Sequence, residues 1–161
     1  MNHYNKTTRF FAAMLVIGGI IGIAIAAILG VQLIRQSWLL AFPMGGLAAL
    51  FAWAVFTGLR LWQGTPYGRK WAAILFASQI PELTLPGLKY QWYTGAHLSP
   101  TLQFGNGSAG ADFSANIGAS GEFFIGAGVP ELVIGINLFA VLAVILLMRA
   151  NHSFKLKTPP G

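Results

Sequence analysis

The chain has no cysteine in its 161 residues and four acids in all, Glu82, Asp112, Glu122 and Glu131. The first absence excludes disulfides, thiolate chemistry and cysteine-based zinc sites. Charge of either sign is scarce, at 9% of residues, against about 25% in ordinary soluble domains. A water-soluble chain of this size would lack the polar surface to cover itself. The ten Lys and Arg residues, formally leaving +6, are scattered rather than clustered. They form no basic face of the kind that tracks phosphates, so nucleic acid is excluded as a partner. No nucleophile, base and orienting group stand at a readable spacing, and no catalytic residue, metal site or cofactor is assigned.

What is abundant is apolar sequence. Hydrophobic residues make up 55% of the chain, and the mean hydropathy is +0.64. The apolar residues gather in blocks at about 10–34, 38–62, 71–88 and 131–149, each close to the roughly 17 to 25 residues that cross a bilayer. The expected fold is a single membrane domain over 1–161, an all-α bundle of four transmembrane helices with an outer loop at 89–130. Lys6, Arg9, Arg60, Arg69, Lys70, Arg149, Lys155 and Lys157 would then share one side, leaving Arg35 and Lys89 on the other. By the positive-inside rule both termini are expected in the cytoplasm, in a plasma or bacterial inner membrane.

The first block also has features of a signal peptide, with Lys6 and Arg9 ahead of it and the small-x-small triplet Ala24-Ile25-Ala26 within it. The apolar run continues past that triplet to Ile34, so the block is expected to be retained as a helix. Gly18, Gly22, Ala26 and Gly30 recur every four residues along it. Such a stripe lets helices approach closely, here against Ala41, Gly45 and Ala49 of the second helix or against another subunit.

The pattern breaks at Ser78 to Gly87, SQIPELTLPG, where two prolines and Glu82 interrupt the third apolar block. Pro81 and Pro86 cannot donate helix hydrogen bonds, so a kink or unwinding is expected. Backbone freed in this way at membrane depth must be buried in protein or face water. Gln79 and Glu82, with Asn137 from the fourth helix, form a candidate polar cluster for a ligand or ion. Without a cationic partner, burial there favours the protonated acid, the chemistry of a proton or cation site. The competing reading places Glu82 at the outer interface, where it caps a helix or solvates a loop.

In the outer loop, TLQFG, ADFSANIG and GEFFIG alternate apolar residues between turn-like spacers. They are patterned for a small antiparallel β-meander, with Asn106-Gly107 as a hairpin turn. Asp112, Glu122 and His97 could line an outer vestibule for cations, although acids on a loop commonly do no more than solvate it. Pro130 and Glu131 suit the start of a fourth helix.

These residues favour an integral membrane binding or accessory protein, contacting lipid, a membrane protein partner or a second copy through its outer loop and small-residue faces. The alternative is a small oligomeric transporter or channel with Glu82 as its proton or cation site.

Overall fold

The computed structural model describes residues 4–35, 38–105, 108–125 and 132–155. The elements run α1 (Tyr4–Ile34), α2 (Trp38–Trp62), α3 (Pro66–Ser78), β1 (Pro81–Leu85), β2 (Leu88–Gly105), β3 (Ser108–Ile125), β4 (Leu132–Ile136) and α4 (Leu138–Lys155). The expected all-α bundle of four transmembrane helices is thereby corrected, because among the described residues four helices accompany a four-stranded antiparallel sheet. Among the described residues two helical segments, Lys6–Ile34 and Phe42–Trp62, are long and apolar enough to cross a membrane.

The expected third helix stops early for the reason its prolines suggest. Ile80, ahead of Pro81, is disfavoured in helical geometry, and α3 closes with the Gln79 amide on the Phe76 carbonyl at 3.0 Å. Beyond Pro81, Glu82 and Thr84 alternate with Leu83 and Leu85, the period of a strand rather than a helix. Pro86 and Gly87, the latter at φ +85°, then turn the chain tightly so that Leu85 faces Leu88.

The expected fourth helix likewise begins as a strand. Val133, Ile134 and Ile136 are β-branched and suit a pleated surface; they form β4, and α4 starts only at Leu138. Pro130 and Glu131 lie outside the described residues. The short runs read as a meander join instead into one long hairpin, β2 and β3 pairing residue for residue from Leu88↔Ile125 to Gly105↔Ser108. Asn106 and Gly107 also lie outside the described residues.

The strand pairings close on themselves. β1 pairs with β4, β4 with the end of β2 at Thr101 to Phe104, and the start of β2 with β1 at Leu88 to Tyr90. β2 therefore arches over the β1–β4 pair, with β3 along its other edge. The arch has a kink at Gly95, φ +91°, which faces Gly118 of β3.

Alternation along the strands sets what lies on each side. His97 and Ser99 are buried, as are Glu82 and Gly135. The intervening residues point outward and are apolar: Leu102, Phe104, Phe113, Ile117, Ile134 and Ile136 are all exposed, Ile117 at 88%. Around Glu82 the polar side chains thus lie inward and the apolar ones outward, whereas Gln103, Asp112 and Asn116, further along the hairpin, are exposed.

The helices supply the apolar core. Phe11, Phe76 and Phe139 meet edge to face, with centroids 5.6, 5.8 and 6.1 Å apart, locking α1, α3 and α4 together. Thr65 caps α3 by accepting from the Gly68 amide at 3.1 Å, and Pro66 occupies its first turn.

The small-residue stripe of α1 divides its partners. A Cβ on Gly18 would collide with the backbone of Thr94 and Gly95, whereas one on Gly22 would strike the Phe51 ring of α2. Ala26 is buried, and Gly30 stands over the Met44 Cβ at 3.5 Å from its own Cβ position. The opposing α2 face is thus Met44 and Phe51, joined by Val55 and Gly58, while Gly45 has open space around it. Gly18 is the point where the helical pair and the sheet touch most closely.

Candidate functional site

The junction between α3, α4 and the sheet collects most of the buried polar side chains. Gln79, Glu82, Thr94, His97, Ser99 and Asn137 are each at most 7% exposed. They lie where two helices end and strands begin, and such ends leave backbone groups in need of partners.

The terminal carbonyl of α3 shows how that need is met. Ser78 O accepts from the Tyr90 hydroxyl at 2.6 Å and from Trp92 Nε1 at 3.1 Å. Gln79 then serves the middle of β2, where the edge facing α3 and α4 has no strand beside it. Its Oε1 accepts from the Thr94 amide at 3.1 Å, and its Nε2 reaches Thr94 Oγ1 at 3.4 Å. Asn137 does the same four residues further on: its Oδ1 accepts from the Leu98 amide and, as the cap of α4, from the Ala140 amide, both at 3.3 Å. Its own amide donates to Ile80 O at 2.9 Å. Gln79 and Asn137 thus flank the unpaired part of β2 and substitute for a missing strand.

Glu82 reaches the same stretch of β2. On β1 it faces Gly135 of β4, which in turn faces Thr101 of β2. A side chain on Gly135 would press on Glu82 Oε2 and Ser99 Oγ, each 3.0 Å from its Cβ position. Because glycine stands there, Glu82 can reach across β4 to β2. Its Oε1 contacts His97 Nε2 directly, and its Oε2 accepts from Ser99 Oγ at 2.9 Å. Tyr93 stacks on the other side of the imidazole, ring centroids 4.6 Å apart and 22° from parallel.

Two buried polar atoms here have no hydrogen-bond partner, His97 Nδ1 and Asn137 Nδ2. Unmatched buried polar atoms are uncommon and mark places where a water, ion or ligand group fits.

The order of contacts defines the chemistry available. A hydrolytic triad needs a hydroxyl bonded to an imidazole that is oriented by a carboxylate. Here the carboxylate is central, with imidazole and hydroxyl on its two oxygens. Such an arrangement can take up a proton and hold it by redistributing hydrogen bonds, but it does not activate Ser99 through His97.

The residues singled out from sequence are distributed unevenly. Gln79, Glu82 and Asn137 come to the same junction. Of the three vestibule residues, His97 is buried against Glu82, Glu122 pairs with Lys89, and Asp112 is exposed and accepts from the Phe113 amide at 2.8 Å. Ser99, Tyr93 and Thr94 were missed. His97 and Ser99 stand two apart on a strand, and so share a face, but nothing in the order of residues points that face at Glu82. Among the described residues no group of three or more His, Asp or Glu is placed to hold a metal ion. No protein family, curated protein or solved structure matches this chain.

Proposed function

We propose that this is an integral membrane protein that takes up and releases a proton, or a cation in its place, at the Glu82–His97 pair. The observation that carries the reading is a buried carboxylate in contact with a buried imidazole whose other nitrogen has no partner. Tyr93 stacks on His97, Ser99 donates to the second carboxylate oxygen, and Gly135, having no side chain, leaves room for that carboxylate. Ionisable groups buried at membrane depth are costly and typically functional.

α1 and α2 span the membrane as an antiparallel pair, with Arg9, Arg60, Arg69 and Lys70 toward the cytoplasm. The contact of the sheet with α1 at Gly18, well inside the helix, supports a polar junction at membrane depth. The test is proton flux in proteoliposomes under an imposed cation gradient. Wild-type protein should collapse a pH gradient faster than empty vesicles, and Glu82→Gln should remove the difference. Flux that persists unchanged in Glu82→Gln rejects the site.

A second reading, an accessory protein that contacts a membrane partner, is favoured by the outward row Leu102, Phe113, Ile117 and Ile134. Co-purification from native lipid with a stoichiometric partner, lost on replacing Ile117 by Lys, would support it.

A further inference from the structure

A cleft of about 560 Å³ lies between the first half of α2 and the paired β2–β3 strands. Pro43, Met44, Gly46, Leu47 and Leu50 form one wall, and Gly121 and Phe123 form part of the other. Its volume falls within the ~300 to 1,000 Å³ typical of sites for small amphiphiles. Its floor is closed where Leu47 fills the space over Gly121, Cδ2 standing 2.5 Å from that glycine's Cβ position. Gly46 keeps the opposite side wide, since nothing lies within 4 Å of its Cβ position.

The charges in the cleft are one of each sign. Lys89 Nζ and Glu122 Oε2 are paired across β2 and β3, with the two side chains 33% and 50% exposed. An anionic headgroup placed there meets Glu122, and a cationic one meets Lys89. A headgroup that carries both charges satisfies both, with phosphate on Lys89 and ammonium on Glu122, while its hydrocarbon chain runs along the apolar wall.

We infer that this cleft holds one chain of a zwitterionic phospholipid, its headgroup bridging Lys89 and Glu122. The occupant is fixed by charge complementarity at one end and the apolar lining along the rest. This site is separate from the Glu82–His97 pair and stands or falls independently of proton uptake.

The experiment is native mass spectrometry of the full chain released from vesicles of equimolar phosphatidylethanolamine and phosphatidylglycerol. Wild-type protein should retain one phosphatidylethanolamine, favoured about tenfold over phosphatidylglycerol, the size of one good charge contact. Gly46→Phe places a ring in open space without displacing a neighbour, so circular dichroism should be unchanged while retention falls about tenfold. Glu122→Lys should turn the preference toward phosphatidylglycerol. Equal retention of the two lipids by wild-type protein, undiminished retention in Gly46→Phe, or a dimer that Gly46→Phe abolishes would each overturn the inference, the last by assigning the cleft to a second copy of the chain.

Discussion

The α1–α2 pair and the unit built from α3, the sheet and α4 solve the problem of burying backbone in opposite ways. In the pair most backbone groups bond within their own helix, Pro43 interrupting α2, and contact is made by removing side chains: Gly22 beneath Phe51, Gly58 against Ala12 and Val16. In the second unit helices stop part-way and strands continue, so backbone groups must find partners elsewhere. Gln79, Asn137, Tyr90 and Trp92 provide them. The difference explains where polarity resides. A continuous helix can be apolar throughout, whereas a helix that gives way to a strand draws amides, hydroxyls and a carboxylate into the interior. Once such a pocket exists, a Glu and a His can be held in it at lower cost than in an apolar helix interior.

The largest effect is expected where the two regions touch. Gly18→Leu would drive a side chain into the backbone of Gly95, which cannot move aside without breaking β2. A loss of about 5 kcal/mol is predicted, beyond the usual range for overpacking because the obstacle is backbone. Thermal unfolding in detergent should then separate into two transitions, with α1–α2 helicity outlasting the sheet. A single unchanged transition would mean the regions do not depend on this contact.

Within the sheet unit, Glu82→Ala removes the acceptor for Ser99 Oγ and the partner of His97 Nε2. Each stranded buried group costs about 1 to 3 kcal/mol, so a loss of about 3 kcal/mol is expected, with Glu82→Gln recovering more than half. Equal losses for the two substitutions would show that side-chain volume, not hydrogen bonding, matters there.

Asn137→Ala should cost about 2 kcal/mol, combining the missing cap of α4 with the unpaired Leu98 amide. Asn137→Asp keeps both acceptor functions and should cost less. Matching melting temperatures for the two variants would argue that Asn137 does not bridge helix and strand.

The smallest effect belongs to the helical pair. Gly45→Ala meets open space in mid-helix and should stabilise by about 0.5 to 1 kcal/mol, where Gly22→Ala, beneath the Phe51 ring, should destabilise. Reversed signs would restore the sequence-based expectation that Gly45 belongs to the contact face.

Much of the helical region is legible in the residues themselves, since a long apolar run with glycine every fourth position announces a helix that packs closely. Yet the stripe does not say that Gly18 meets a sheet, because its partner lies far along the chain. The second region is hidden from windows of membrane-spanning length. Such a window averages away the two-residue alternation of Glu82 to Leu85 and the β-branched run Val133 to Ile136, both of which are strand signals. Gln79, Glu82 and Asn137 stand out as polar residues in apolar surroundings. The partners of Glu82 do not, because β4, paired with both β1 and β2, brings His97 to it from fifteen residues away, and the missing side chain at Gly135 leaves room for the carboxylate.

The central claim is that β2 carries its polar residues inward, around Glu82, and its apolar residues outward. The absence of cysteine makes a single-cysteine spin-label scan from Ala96 to Phe104 straightforward, read by collision with oxygen, which partitions into lipid. In bilayers, labels at Leu98, Leu102 and Phe104 should show high oxygen accessibility, and labels at His97 and Ser99 low accessibility, a two-residue alternation. A three- to four-residue period, or uniform accessibility along the segment, would contradict the account.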